Sequence, residues 1–553
     1  MQYTGQTIGI FGVSRLAMEE WWILPRTLRG GTQAMRAAAE TYLPAYNVEM
    51  RNRDLYKKRL NKARLFPAYD RAVCDLASLP FQKAPALPGI EELDPRLQKL
   101  QENADRCGTS LWAFMAQIHE DAIDRGIGLF LVDNVPTGGV SIADAEKMDV
   151  RPYFARVMPD NLVGSVSVMK NGAEKVVDLR VREWVTTTNG DGTETTVQRI
   201  RHWDETNVEV WQQRSGSAVA TAVGMTERGG NTGPSGFDLV EPPRPHGFPD
   251  GVPVVVHYTR RLSSMLAQPP MEELAWENVA HWQARSEQDA ALTMGRFPIL
   301  RGKGLSEEVA ERQPVLGPGA TVTDTSSDAD WAFVEISGAS IAAGDKQLDR
   351  IESNMAWLAM QPIVQANGPT TATGEVRADV REKATAQKWA EGLEWAFYRA
   401  FGMAAAWIDQ SLPDAFDVAL WRDFSILSPS AQQDIANMQA DLRDGHLTLG
   451  TYLRELKRRG KLAEDWDPEE EEVALDADAE KKQEADMQRV IAQIERERQT
   501  AGAPAQPDSA TPGAERAARQ GNIDGANKLW QQAADMIGIA NLGKAPKAKA
   551  GAL

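Results

Sequence analysis

Residues Met271–Met294, MEELAWENVAHWQARSEQDAALTM, repeat apolar side chains at Met271, Leu274, Ala275, Val279 and Trp282, with acids between them. Steps of three and four residues put these side chains on one side of a helix, which at 1.5 Å per residue spans about 36 Å. Gly295 and Pro298 end it. A second stretch, Asp345–Met360, sets Leu348, Ile351, Met355 and Leu358 at the same spacing and stops at Pro362. Between the two lie strand-like runs and Gly/Pro turns. Two amphipathic helices separated by a small insertion bury their stripes only against each other or against a neighbouring copy.

Upstream, Val48–Leu79 reads as helical, with charges first (Arg51, Arg53, Lys57, Lys58, Arg59) and then Leu65, Tyr69, Val73 and Leu76 at helical spacing, until Pro80, Pro85 and Pro88 stop it. Residues 1–48 hold short mixed segments around Trp21, Trp22 and a Gly30-Gly31 break, and suggest an arm against a neighbour. Residues 110–125 form a helix with Leu111, Phe114, Met115, Ile118 and Ile123 on one side. Gly126 and Gly128 break it, and Leu129–Val132 follows as a buried strand. Residues 151–215 alternate like strands (Lys175–Glu183, Thr195–Trp203, Asn207–Gln213), with hairpin turns at Asn171-Gly172 and Asn189-Gly190. Residues 226–251, rich in Gly, Pro and Ser, read as a loop, and Val252–Tyr258 as a strand.

Downstream, Gln365–Gly374 (QANGPTTATG) is a small polar loop, followed by a helix to about Asp409 and a strand-like piece, Asp417–Phe424. After Ser428-Pro429, a helix cap and first turn, the chain is nearly all helical, and Gly445 separates two helices. Glu464–Glu472 is an acidic run, 477–499 a charged helix, and 500–513 rich in Ala, Pro and Gly. The fold class expected is α+β, in two to four regions for a chain of 553 residues.

Chemistry leaves little trace. The six histidines (His119, His202, His246, His257, His281, His446) include no pair at metal-ligand spacing, so no metal site is expected. His119-Glu120-Asp121 is read as a solvated helix face. Gly295–Gly304 (GRFPILRGKG) has six residues rather than four between Gly295 and Gly302, and Gly304 where a phosphate-binding loop needs Ser or Thr. No nucleophile elbow or dinucleotide fingerprint is present. The expectation is no catalytic residue and no cofactor: not an enzyme.

Hydrophobic residues make up 42% and charged residues 25%, ordinary for a folded protein. A net charge of −17 opposes tight wrapping of nucleic acid. Arg51–Lys62 and Glu464–Glu472 read as solvated segments, and Trp276 and Trp282 as packing residues rather than platforms for bases. Cys74 and Cys107 exclude a disulfide framework and are expected to be buried thiols folded in a reducing compartment. Met1–Arg15 lacks the pattern of a signal peptide, and no run reaches the ~18 apolar residues a membrane helix needs; synthesis in a cytoplasm and no membrane partner are expected.

The order of segments resembles the portal proteins of tailed bacteriophages, particularly a branch known as a domain of unknown function. Tyr42-Leu43-Pro44, Tyr56-Lys57-Lys58-Arg59-Leu60 and Asn61-Lys62-Ala63 resemble its opening helix, and Leu79–Pro85 (LPFQKAP) the end of that helix. Ile123–Pro136 (IDRGIGLFLVDNVP) resembles the helix, glycine turn and strand of the portal wing. Arg151-Pro152-Tyr153 with Pro159-Asp160-Asn161-Leu162 resembles the next strand and turn. Pro269–Gly304 is the strongest piece, and Phe333–Leu358, 370–401 and 433–472 follow in the family's order. Residues 1–41 and those beyond about 480 match nothing in it.

The resemblance implies a ring, usually of twelve subunits, through which double-stranded DNA passes without sequence preference during packaging and ejection. The implied layout is an N-terminal arm (1–48), a wing (49–265), stem helix one (266–294), a clip (295–340) and stem helix two (341–362). A tunnel loop (363–374), a wing return helix and strand (375–427), a helical crown (428–500) and a flexible tail (501–553) complete it. Gln365, Asn367, Thr370, Thr371 and Thr373 would face DNA. Leu274, Val279, Trp282, Leu348, Ile351 and Met355 would pack the stem, and Arg296, Arg301 and Lys303 would serve clip docking. Partners implied are further copies of the chain, the terminase large subunit, a head–tail adaptor and the major capsid protein, at a capsid vertex of a virion made in the host cytoplasm. Other readings are a different head–tail connector or capsid component, or a cytoplasmic enzyme.

Overall fold

A computed structural model describes residues 2–134, 149–188, 190–214, 236–296, 299–304, 326–334, 338–359, 372–422, 431–458, 462 and 468–501. It mixes helices with antiparallel sheets, and the chain divides into two units, Met1–Pro429 and Ser430–Leu553.

Besides two helices of little more than one turn (Asn47–Arg51 and Pro95–Gln98), the first unit holds α1 (Val13–Arg29), α2 (Gly31–Ala38), α3 (Arg53–Lys62), α4 (Ala68–Ser78) and α5 (Leu111–Arg125). Strand β1 (Ile127–Asn134) follows, and pairs antiparallel with β2 (Pro152–Val157) on one side and with β8 (Val254–Tyr258) on the other. Strand side chains alternate faces, and both faces of β1 are covered. Phe130 and Val132 enter one core with Phe114 and Ile118 of α5, Phe154 of β2, and Phe397 and Phe401. Ile127, Leu129 and Leu131 enter another with Met18 and Trp22 of α1, and with Leu162, Leu179 and Trp203. Phe130 stacks on Phe397 at 4.8 Å between ring centres.

A five-stranded antiparallel sheet runs in the order β3 (Leu162–Lys170), β4 (Ala173–Thr188), β5 (Glu194–Asp204), β6 (Asn207–Gln213), β7 (Phe237–Pro245). The β3–β4 turn has Asn171 at φ 53° and Gly172 at φ 76°, the pair of positive values that makes Asn-Gly the preferred two-residue hairpin. Strand β7 corrects the loop expected over 226–251. It carries Pro242, Pro243 and Pro245 because it is an edge strand, where a missing N–H costs no ladder bond. The Asn189 half of the second expected turn and residues 215–235 lie outside the described residues.

The N-terminal segment is also corrected. Residues 13–38 are helical, and residues 3–12 lie on the chain's own sheet. The Phe237 amide donates to the Gly5 carbonyl at 2.8 Å and the Gly12 amide to Val163 at 2.9 Å. Arg180 Nη1 donates to the carbonyls of Ile8 (3.0 Å) and Ile10 (2.7 Å). Ile8 is buried with Val163, Ile200 and Phe237. Asp417–Phe424 forms no strand among the described residues; it contributes one bridge, Ala86 to Ala419.

After the short strands β9 (Arg261–Ser263) and β10 (Leu266–Ala267) come helix α6 (Glu272–Arg296), strands β11 (Ile299–Lys303) and β12 (Asp330–Val334), and helices α7 (Gly338–Leu358) and α8 (Ala372–Ala406). The second unit holds α9 (Ala431–Arg443), α10 (Leu449–Arg458) and α11 (Pro468–Ala501), with Gly445 at φ 77° between the first two. Cys74 and Cys107 are both exposed, against the expectation of buried thiols. No described helix is long and apolar enough to cross a membrane.

Candidate functional site

The feature that invites a function is the pair α6 and α7, joined through the antiparallel ribbon β11–β12. Helix α6 starts with Glu272 and Glu273, acids that suit the positive end of a helix. Its side toward the rest of the unit buries Met271, Leu274, Ala275, Val279 and Trp282 together with Leu24, Leu28, Tyr69, Val73 and Leu76.

A polar residue, Asn278, sits fully buried within that stripe. Its Oδ1 accepts from the Tyr69 amide at 3.1 Å, and its Nδ2 donates to the Phe66 carbonyl at 2.9 Å. Tyr69 lies in the first turn of α4, where amides have no partner within the helix, so Asn278 caps one helix from the middle of another. Gln283 Nε2 donates to the Tyr42 carbonyl at 3.0 Å, tying α6 to the segment after α2.

Helix α7 runs antiparallel to α6, and polar contacts define the register. Asn354 Nδ2 donates to Glu277 (2.8 Å), His281 Nε2 meets Glu352 (3.1 Å), and Gln288 Nε2 donates to Asp345 (2.8 Å) and to the Ile341 carbonyl (2.9 Å). Burial pushes the His281 imidazole below its usual range, with Glu352 pulling the other way. At Gly344 a Cβ would stand 2.0 Å from Gln288 Oε1, so any larger residue here would push the Gln288 side chain out of this position.

Of the residues expected to pack a stem, Leu274, Val279, Trp282, Ile351 and Met355 share this core; Leu348 is half-buried and not part of it. Arg301 and Lys303 are exposed on β11, opposite Ala332 and Asp330. Arg296 is the last residue of α6, which continues through Gly295. Gln365, Asn367, Thr370 and Thr371 lie outside the described residues. Thr373 does not belong to a loop, because α8 already starts at Ala372. Asn278, Gln288 and Gly344 were not singled out from sequence. The signal was there for Asn278, which stands four residues from both Leu274 and Trp282 on the apolar stripe.

Of the His119-Glu120-Asp121 face, expected to be solvated, Glu120 alone keeps substantial exposure (35%), while Asp121 keeps 14% and His119 almost none. His119 is buried, with Nδ1 3.0 Å from His257 Nε2. Burial pushes both imidazoles down, His257 to about 4. Asp121 pairs with Arg156 at 2.7 Å, and burial still holds its carboxyl up at about 6. Glu120 pairs with Arg29. Asp160 is pushed up by burial, but Arg125 and Arg26 hold it near 2. The core explains why: α5 is covered by α1, α4, β1 and α8, so three of its sides are interior. Among the described residues, no group of three His, Cys, Asp or Glu side chains is placed to hold a metal.

A family described as "Domain of unknown function (DUF4055)" matches residues 270–408, the span of α6, the ribbon, α7 and α8. No curated protein matches the chain. Among solved structures, similarity is found to a chain in the neck of a native gene transfer agent particle computed with C12 symmetry (TM-score 0.38, 14% identity, 71% of this chain and 89% of that one). A chain in the virion of the native gene transfer agent particle gives TM-score 0.36 and 14% identity over 69% of this chain and 86% of that one.

Proposed function

We propose that this chain is a portal protein: a subunit of a ring at one vertex of a phage-like capsid, through which DNA is packaged and ejected. The observation that carries the reading is helix α7. Ile351 and Met355 are buried against α6, while most of the other α7 side chains are exposed along a helix of 21 residues. A helix covered on one side and continued by a ribbon fits a stem that neighbouring copies complete, and a closed cyclic ring supplies those neighbours without leaving open surfaces. The ordered resemblance over most of residues 42–475 supports the same reading.

On this reading α6 and α7 are the stem, β11–β12 with Arg301 and Lys303 belongs to the clip, and 365–371 narrows the tunnel. The uncharged Gln365, Asn367, Thr370 and Thr371 suit weak, sequence-independent contact with double-stranded DNA, because strong phosphate contacts would act as a brake. The net charge of −17 is compatible with DNA that slides. The role is mechanical, with no catalysis and no cofactor. The terminase large subunit and later a head–tail adaptor would dock on the clip, and the major capsid protein would surround the wing, within the virion. Native mass and negative-stain microscopy of the purified chain test this. A large cyclic particle with a central hole is expected; a dimer or tetramer without a hole, under all assembly conditions, would overturn it.

A further inference from the structure

Residues 3–12 lie as a strap across a face of the five-stranded sheet that carries four ionisable groups. Asp178 and Arg180 stand two apart on β4 and so share a face. Arg180 is level with His202 of β5, and His202 with Glu209 of β6. Asp178, Arg180 and His202 are buried. Tyr3 closes over them. Its hydroxyl donates to Asp178 Oδ1 at 3.1 Å, its ring meets the His202 ring edge-on at 4.9 Å, and the Arg180 guanidinium lies 4.6 Å from its centre. Further along the strap, Ile8 covers Val163, Ile200 and Phe237.

His202 is held from both sides. Its Nε2 stands 2.9 Å from Asp178 Oδ2 and its Nδ1 2.8 Å from Glu209 Oε1. A carboxylate only accepts hydrogen bonds, and a neutral imidazole has one N–H to donate. Both contacts are therefore satisfied only by the imidazolium. With it, two cations face two carboxylates. Without it, Arg180 alone faces both, and a ring lone pair points at one of them. The remaining neighbours do not supply a substitute. Arg180 Nη1 is engaged by the Ile8 and Ile10 carbonyls of the strap, and Trp211 Nε1 already donates to Glu209 Oε1 at 2.9 Å. A buried carboxylate short of a partner is costly unless water reaches it. Asp178 lies beneath Tyr3, so hydrating it means lifting the strap.

We propose that the strap is a proton-sensitive clasp: residues 3–12 stay closed on the sheet while His202 is charged, and loosen when it loses its proton. Burial pulls the His202 imidazole down, but its hydrogen bonds to Asp178 and Glu209 prevail and hold it above its usual range. Closure is thus complete below the imidazole's value with the strap open, and is lost as pH rises through the higher value with the strap closed. Tyr3 does not compete in that window, because burial pushes its hydroxyl above 10, with Arg180 pulling the other way. Loosening bares Val163, Ile200 and Phe237, and frees the Gly12 amide from the Val163 carbonyl just before α1 begins at Val13. The clasp stands whether or not the chain is a portal subunit.

Hydrogen exchange of the full chain, read by mass spectrometry, tests this. Each rate is divided by that of an unstructured chain at the same pH. Protection of residues 3–12 should then fall by about tenfold or more between about pH 6 and about pH 9, while the β1 amides keep theirs. His202→Gln donates to one carboxylate only and does not titrate, so its strap should be poorly protected at both pH values alike. Glu209→Gln removes one carboxylate and should move the loss to lower pH; it carries the test if His202→Gln fails to fold. Strap protection that does not vary with pH in the parent overturns the clasp. So does a pH dependence that β1 shares, or one that persists unchanged in His202→Gln or Glu209→Gln.

Discussion

The core around β1 and the seam between α6 and α7 are both antiparallel, apolar and buried, yet they differ in how completely one chain finishes them. Strand β1 has interior on both faces, and the rings of Phe114, Phe130, Phe154 and Phe397 meet at 4.8–6.2 Å. Helix α7 touches its own chain along one stripe. The first region is covered within one chain. The second spends a long element on a surface that contributes little until something covers it. Where a chain leaves an ordered helix mostly uncovered, assembly is the economical explanation, since single-stripe packing barely offsets the entropy of ordering it.

The largest expected effect tests the first region. Phe130→Ala should destabilise the chain by about 3–5 kcal/mol in urea unfolding, since three rings, Phe114, Phe154 and Phe397, lose their contact with it. If it costs no more than a seam mutation, the contrast collapses. Next is acid sensitivity at the His119–His257 pair. Its folded pKa is depressed, to about 4 for His257 against 6.5, so the unfolded chain takes up the proton first. Stability from this group is complete above pH 6.5 and is lost as pH falls toward 4, by roughly 3 kcal/mol. Asp121, held up at about 6, acts with the opposite sign between 3.8 and 6. The clean readout is therefore the difference between the parent and His257→Gln, measured by unfolding at pH 7 and pH 4.5: the variant should lose less on acidification.

At the seam, Met355→Ala should cost about 2 kcal/mol, seen as a lower thermal midpoint with the β1 core intact. Asn278→Ala should cost about 1–3 kcal/mol by leaving the Tyr69 amide and the Phe66 carbonyl unpaired. The smallest effect sharpens the comparison most. Trp357→Ala should change protomer stability by less than about 0.5 kcal/mol, although it removes the largest side chain on α7. A cost of several kcal/mol would mean that Trp357 already has a partner within its own chain.

Periodicity found the helices where a stripe was clean. Leu111–Arg125 and the strand after it are where the spacing of Phe114, Met115 and Ile118 and the break at Gly126 put them. It missed the first two turns of α7, because Gly338 and Gly344 bracket an alanine-rich run that has no stripe of its own. It also missed α1, whose Pro25 and paired tryptophans look like interruptions until Trp22 Nε1 is seen donating to the Arg125 carbonyl at 2.8 Å.

The candidate site was half legible. Leu274, Trp282, Ile351 and Met355 announce themselves by spacing. Which helix faces which, and at what level, is held by Asn278, Gln288 and Gly344, whose partners are 53 to 212 residues away in the chain.

From the residues alone came the class of the fold and the two amphipathic helices with a strand-bearing insertion between them. Those follow from local periodicity, which needs only a residue and its neighbours three or four along. Tertiary structure alone decided that the N-terminal residues strap their own sheet, that His119 is interior, and that Asn278 of α6 caps α4. Each of these depends on where distant segments meet, and a linear pattern holds no information on that until the chain closes on itself.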